Sequence, residues 1–371
     1  MKNTKNIRVL IVFSSSELGG AERSLTRMVS ASSPNVYQLA TLDGEGPWCD
    51  WVRSQGLQPL VFGVRNGAPH GTLRLGAFVS LVRYVRRKRI KIIYVCGLRA
   101  SLWLRLLNWL MPEVRLVHGI RWNPGSNSRL DQIFRFVERW LNGLIDLYIA
   151  NSQIAATTLI EQCAIPPDKI KVIHNGLAEI PTNVPPLEKR PLNVLTVANF
   201  NRRKGYLEYL LAIEGVHKVI PHAKFIFVGR DDMNGEVQRA ISAAGMAGFI
   251  SCEGFQSDVS NYFKSARVYV LPSLWGEGCP TSLLESMAWG VPVIANKVDG
   301  VPELIKDGVD GFVLDPMRIE KMAARIIELL SNCQIATALG TAGRDKVSRD
   351  FTMEACSRLH EQEFIKLKGF T

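Results

Sequence analysis

Short β-branched runs alternate along the chain with longer stretches of helical period. In the first half the apolar runs are Arg8–Phe13, Lys91–Cys96, Val114–Ile120, Leu144–Asn151 and Lys169–Asn175. Helical spacing fills Ala21–Ser30, Thr72–Arg89, Ser101–Met111, Leu130–Asn142 and Gln153–Cys163 between them. The alternation is that of parallel βαβ units. It lapses over Gly176–Asn193, which carries four prolines and no amphipathic period. Beyond that segment it restarts with the runs Asn193–Asn199, Lys224–Arg230, Ala266–Ser273 and Val291–Asn296. The pattern predicts an α/β protein of two Rossmann-like, doubly wound parallel-sheet domains, over 1–180 and 193–351. A linker over 181–192 and a C-terminal helix over 352–371, able to cross back to the first domain, complete the expectation. In open parallel sheets ligands bind beyond the carboxyl ends of the strands, so chemistry is to be sought in the loops after these runs.

Length and composition agree with that reading. A chain of 371 residues suits two domains, and 47% apolar with 21% charged residues excludes wholesale disorder, collagen and a polytopic membrane protein. Val9–Phe13 is too short for a signal-peptide core, and Leu98–Pro112 is interrupted by Arg99, Arg105 and Asn108, so neither run should cross a membrane. The seven cysteines are odd in number, scattered and never in a C-x-x-C pair, which fits reduced cytosolic thiols better than disulfides or zinc. Charge is uneven. Residues 1–185 hold 23 basic and 12 acidic side chains while 186–371 hold 22 of each, so the whole surplus of +11 lies in the first half.

Three loops carry candidate chemistry. In Ser14–Glu22 the pair Gly19-Gly20 lets backbone amides approach a phosphate at a helix N-terminus, or merely joins a strand to a helix. The motif is not G-x-G-x-x-G, which disfavours a nicotinamide site. In Asn199–Gly205 the cations Arg202, Arg203 and Lys204 suit a diphosphate, or form a solvated turn. The strongest signal is Leu271–Ala295: Pro280 suits the first turn of a helix, and Leu283, Leu284, Met287 and Ala288 give that helix an apolar face. Glu277 and Glu285 frame its amino-terminal end, and the amides of Gly278, Cys279, Thr281 and Ser282 are expected to meet phosphate or sugar oxygens.

The stretch with Glu277-x₇-Glu285, Gly290-Val-Pro-Val-Ile-Ala295, Val301-Pro-Glu303 and Gly311-Phe-Val313 closely resembles the retaining nucleotide-sugar glycosyltransferases of family four, which have the GT-B fold. Gly19-Gly-Ala-Glu22, Ala150-Asn-Ser152, Val172-Ile-His-Asn-Gly176 and Lys204-Gly205 match the same family in the same order. The resemblance implies a nucleotide-sugar donor held in a cleft between the two domains. Glu285 would grip the ribose and Glu277 the donor sugar. Gly278 to Leu283 would hold sugar and phosphate oxygens, with Arg203 and Gly229 in the same donor-binding set. Gly19, Gly20 and Glu22 would face the diphosphate from the other domain. Lys204 matches the family's lysine on the departing diphosphate; Asn199 stands where its arginine is commonest, leaving Arg202 or Arg203 as the substitute. Gly276 is extra relative to the usual Trp-Glu-Gly and puts the orientation of Trp275 in doubt. His118 or Arg121, at a strand's carboxyl end, would contact the donor or orient the acceptor.

No D-x-D sequence is present, so no metal or other cofactor is expected. Nine cations between Arg83 and Arg115, beside Trp103, Leu106, Leu107 and Trp109, match an interfacial segment on an anionic membrane surface. The expectation is a cytoplasmic enzyme, peripheral on the inner face of the membrane, that adds a sugar, UDP-linked on family frequency, to a glycan or lipid-linked acceptor. The alternatives are a basic nucleic-acid-binding protein, a sugar-nucleotide epimerase and a glycosidase. The first leaves Glu277 and Glu285 idle, and the last needs no cationic loop.

Overall fold

The computed structural model describes residues 8–32, 36–64, 75–126 and 128–369. The chain divides into two compact units, Met1–Ala178 with Met353–Thr371, and Glu179–Thr352. The first contains β1 (Val9–Phe13), α1 (Gly20–Ser30), β2 (Tyr37–Thr41), α2 (Pro47–Ser54), β3 (Leu60–Val61), α3 (Leu75–Lys88), β4 (Ile92–Cys96), α4 (Leu98–Leu107), β5 (Arg115–Ile120), α5 (Arg129–Leu141), β6 (Leu147–Ala150), α6 (Gln153–Cys163) and β7 (Ile170–Val172). The expected helix start at 72–74 lies outside the described residues.

The seven strands form one parallel sheet in the order β3-β2-β1-β4-β5-β6-β7. Both faces are covered. Along β1, Leu10 and Val12 pack with α3, α4 and α6, whereas Val9, Ile11 and Phe13 pack with α1 and α2 on the other side. This is why the strand is apolar at every position rather than at alternate ones. Helix starts are fixed by hydroxyls: the Asp131 amide donates to Ser128 Oγ (3.1 Å) at α5 and the Ala155 amide to Ser152 Oγ (3.3 Å) at α6.

The second unit contains β8 (Asn193–Val197), α7 (Tyr206–Val219), β9 (Lys224–Val228), α8 (Glu236–Ala243), β10 (Ile250–Cys252), α9 (Ser260–Ser265), β11 (Val268–Leu271), α10 (Thr281–Ala288), β12 (Val293–Asn296), α11 (Val301–Leu304), β13 (Phe312–Leu314), α12 (Ile319–Ser331) and α13 (Cys333–Asp350). Its parallel sheet has the order β10-β9-β8-β11-β12-β13. The strand order turns at β8, which lies between β9 and β11, and this sets the carboxyl ends of β8 and β11 side by side.

The proline-rich segment read as a linker belongs to this second unit. Leu187 is buried, and Arg190 donates to Pro185 O (2.9 Å), Ala266 O (3.0 Å) and Trp289 O (2.8 Å), so its polar groups are spent on the unit's own carbonyls. The last helix, α14 (Met353–Lys368), packs on the first unit, with the Phe364 ring 5.9 Å from that of Tyr94 and 6.1 Å from that of Tyr37. None of the seven cysteines forms a disulfide. Among the described residues no helix is long and apolar enough to cross a membrane.

Candidate active site

The loop leaving β8 enters a 3-10 turn over Arg202–Lys204. Gly205 ends the turn at φ 67°, and a Cβ there would lie 2.2 Å from Pro272 O, so only glycine lets this turn pass over the loop leaving β11. The Leu274 amide donates to Arg203 O at 2.7 Å, which ties the two loops together. Across that junction Lys204 Nζ donates to Glu277 Oε1, and Ser273 Oγ donates to the same oxygen at 2.5 Å. The Lys204 side chain is 11% exposed and that of Glu277 is 6% exposed. Burial pushes the Glu277 carboxyl up, but Lys204 and Arg203 outweigh it and hold it below the usual carboxylate range. Burial also draws the Lys204 ammonium below its usual range, against the pull of Glu277; the direct contact makes the two an ion pair, on residues 73 apart in sequence.

The extra residue of this sequence, Gly276, is held at both ends. Its amide donates to Asp299 Oδ2 (2.5 Å), as does the Glu277 amide (3.0 Å), and its carbonyl accepts from Arg203 Nη1 (2.6 Å). Gly276 takes φ 79°, which absorbs the additional residue while Glu277 keeps its bond to Lys204; Trp275 is left exposed. Arg203 thus reaches the site. Arg202 turns the other way: its side chain is 65% exposed and pairs with Glu236 (2.5 Å) at the surface. Gly229 lies after β9, against the loop leaving β8. A Cβ there would meet Ala198 O at 2.0 Å, so glycine at this position lets the two loops pass closely.

Beyond Glu277, Gly278, Cys279 and Pro280 are buried, and α10 begins at Thr281. Tyr269 on β11 donates to Ser282 Oγ (2.8 Å) and fixes the helix start against the sheet. Leu283 points into the core, and Thr281, Ser282 and Glu285 are half-buried. The first amides of α10 have no partner within the helix and carry its positive end, which suits an anion. Among the described residues no group of three or more His, Cys, Asp or Glu is placed to hold a metal ion.

In the first unit Gly19 caps α1 and Gly20 opens it. The carboxyl of Glu22 folds back onto this end, where the amides of Gly19 and Glu22 itself donate to it, and burial raises it above its ordinary value. The amide of Gly19, expected to face a diphosphate, is thus taken by a side chain of the same helix. Arg121, at the carboxyl end of β5, donates from Nη2 to Ser24 Oγ (2.9 Å) and Asn175 Oδ1 (2.5 Å). Ser24 and Asn175 are thus grouped with Arg121, a contact the sequence did not disclose, although Asn175 lies in a motif it singled out.

His118 is elsewhere. It points into the sheet's flank at 0% exposure, with Nδ1 3.1 Å from Glu138 Oε1. Arg105 Nη2 donates to both oxygens of Glu138 (2.5 and 2.7 Å) and Tyr148 OH to Oε2 (2.6 Å). Burial holds the imidazole below its ordinary value, in the neutral form. The catalytic assignment of His118 is corrected: it is a structural member of a closed polar network. Arg105, counted from the sequence among the surface cations, is buried in the same network.

A parallel sheet with a cation-carboxylate pair at its switch point and a helix N-terminus beside it is an arrangement of an α/β protein to which an anion can bind. Known proteins bear on which class. Residues 18–178 match the family described as Glycosyltransferase Family 4, and residues 181–346 match Glycosyl transferases group 1. The chain belongs to these glycosyltransferases. Its fold is GT-B: it superimposes on Anabaena HepE in complex with UDP with a TM-score of 0.82 at 21% identity, over 97% of this chain and 100% of that one. Similar proteins include the amylovoran biosynthesis glycosyltransferase AmsK of Erwinia amylovora, 26% identical over 52% of this chain and 50% of that protein. The UDP-Gal:alpha-D-GlcNAc-diphosphoundecaprenol alpha-1,3-galactosyltransferase of Escherichia coli is 20% identical over 75% of this chain and 76% of its own length. The matched segment thus spans only about half the length of AmsK.

Proposed function

We propose that this protein transfers a hexosyl or N-acetylhexosaminyl group from a nucleotide-diphosphate sugar to a glycan or lipid-linked acceptor of a cell-surface polysaccharide or glycolipid, with retention at the anomeric carbon and without a metal. The observation that carries the reading is the buried Lys204–Glu277 pair, facing the start of α10. An ammonium has three N–H donors, and Glu277 engages one, so the others can bind a diphosphate. Cleavage of the sugar–phosphate bond adds negative charge to the leaving diphosphate. Fixed cations and helix amides in a water-poor site stabilise that state more than the ground state. Lys204 and Arg203 supply the cations, Glu277 orients the sugar, and Glu285 takes the ribose. UDP is favoured as the nucleotide because HepE, which shares the fold, binds UDP and UDP-glucose. Retention rests on the family resemblance. The Escherichia coli relative whose name gives a GlcNAc-diphosphoundecaprenol acceptor supports a carrier-bound acceptor.

The test is a panel of nucleotide sugars, with nucleotide release followed with and without a lipid extract and with and without EDTA. Release that needs both a sugar nucleotide and the extract, and that EDTA leaves unchanged, is expected. Lys204→Ala should lose on the order of 10²-fold in turnover. Near-normal turnover in that variant would overturn the role of Lys204; release of free sugar from a glycan without any nucleotide would point to a glycosidase.

A further inference from the structure

Helix α5 is apolar on two sides. Phe134 faces the sheet and is buried, yet Leu130, Ile133, Phe136 and Trp140 point outward, and Leu130, Phe136 and Trp140 are 74%, 67% and 71% exposed. Its neighbour α4 and the 3-10 turn over Asn108–Leu110 add Leu106 and Trp109 to the same layer, the latter 76% exposed. The charges are arranged the other way from those of a solvated helix. Both acids of α5 are inside: Asp131 accepts from Trp122 Nε1 (3.1 Å) and Ser126 Oγ, and Glu138 belongs to the buried network. The outward charges are Arg129 and Arg139, with Arg99 on α4. An outer face of large apolar side chains accompanied by exposed arginines has its ordinary place at the boundary of an anionic bilayer, where aromatic rings sit at headgroup depth and cations meet phosphates.

We infer that the outer face of α4, the following turn and α5 docks on the surface of an anionic lipid bilayer, its apolar side chains inserted into the interfacial layer. The inference rests on the surface chemistry of the first unit and stands apart from the nucleotide-sugar reading. Of the basic run Arg83 to Arg115 it keeps Arg99 and the apolar residues Leu106 and Trp109, and it moves the rest of the contact onto α5. In that run Arg105 is buried, Arg86 donates to Leu110 O (3.0 Å), Arg115 pairs with Asp146 (3.0 Å) and Lys91 pairs with Glu113. A second copy of the chain fits this face poorly, because its outward charges, Arg99, Arg129 and Arg139, are all of one sign and would meet their like.

The full-length protein is to be sedimented with phosphatidylcholine vesicles with and without phosphatidylglycerol. Wild type should bind the phosphatidylglycerol vesicles and fall off as salt rises. Phe136→Ser with Trp140→Ser should lose at least tenfold in vesicle partition while melting temperature and turnover on a soluble acceptor stay put. Leu130→Ser serves as a second variant should that pair fold poorly. Arg129→Gln with Arg139→Gln should abolish the preference for phosphatidylglycerol. Brominated acyl chains should quench tryptophan emission in wild type and less in Trp140→Phe. The inference falls if Phe136→Ser/Trp140→Ser binds like wild type while Arg87→Gln with Lys88→Gln does not, since the basic run alone would then make the contact. It also falls if wild type is a dimer that Phe136→Ser/Trp140→Ser converts to a monomer, which would assign the face to a second copy.

Discussion

Glu138 and Glu277 are both buried and both bonded to a cation, yet one is closed in from every side and the other sits where two loops leave a sheet. The partners of Glu138 come from α4, β5 and β6, which surround α5, and Arg105 and Glu138 are both at 0% exposure. The partners of Glu277 come from the loops after β8 and β11, and the pair keeps some access to solvent. Enclosure decides what each can do. No substrate atom can reach Glu138, so its network can only hold α4, α5, β5 and β6 together. Lys204 keeps donors to offer, because its enclosure ends at the strand ends where a parallel sheet opens to ligands.

Crossing the two pairs by mutation tests this most severely. Arg105→Ala leaves the Glu138 charge buried without its cation, and breaking such a pair costs about 3–5 kcal/mol. Urea unfolding should show that loss, while turnover per folded molecule stays close to wild type. Lys204→Ala should behave in reverse: turnover falls, but stability changes less, since Glu277 retains Ser273 Oγ and some access to water. A folded Arg105→Ala protein that had lost turnover would break the comparison, because the enclosed network would then be reporting to the site.

A smaller effect is expected from the turn that aims Lys204. Gly205→Ala must place an L side chain at φ 67° with its Cβ 2.2 Å from Pro272 O. Strain of this kind costs about 1–3 kcal/mol, and relieving it shifts the loop that carries Lys204. Turnover should drop by about tenfold, and the melting temperature should fall with it. Alanine tolerated in both respects would mean that the two loops are not locked as their hydrogen bonds indicate.

The same contrast explains what the sequence could and could not disclose. The strands buried on both faces announce themselves as continuous apolar runs, so Val9–Phe13 and Ile92–Cys96 are readable at once. β2, Tyr37–Thr41, is not, because Gln38 interrupts it and its run is short. Glu277 and Lys204 are readable as members of motifs, but their contact is not. It exists because β8 and β11 are neighbours in the sheet, a fact of topology over 73 residues. His118 misled because a histidine near a strand's carboxyl end resembles a site residue. The signal against it was present in Arg105 and Glu138, charges at positions where α4 and α5 face the core, which need a buried partner. Asp299 carried no signal, since its work is to accept two backbone amides across a tertiary contact.

The finest cut is between adjacent arginines. Arg202 and Arg203 are one residue apart on one 3-10 turn, and the sequence gives no reason to prefer either. The turn sends them in different directions: Arg202 to Glu236 on the surface, Arg203 to the carbonyl of Gly276 beside Glu277. An exposed pair such as Arg202–Glu236 contributes about 0–1 kcal/mol and is screened by salt, so Arg202→Ala should leave stability and turnover nearly unchanged. Arg203→Ala removes the tether on Gly276 and, on the proposed function, a cation near the leaving group, so turnover should fall by about tenfold with a smaller change in the donor's KM. Arg203→Lys separates the two contributions. Lysine restores the charge but cannot hold Gly276 O with the same planar geometry, so partial rescue of turnover assigns the charge and no rescue assigns the tether. Equal losses in Arg202→Ala and Arg203→Ala would mean that the turn reorients when donor binds, and the line between surface pair and site would have to be redrawn.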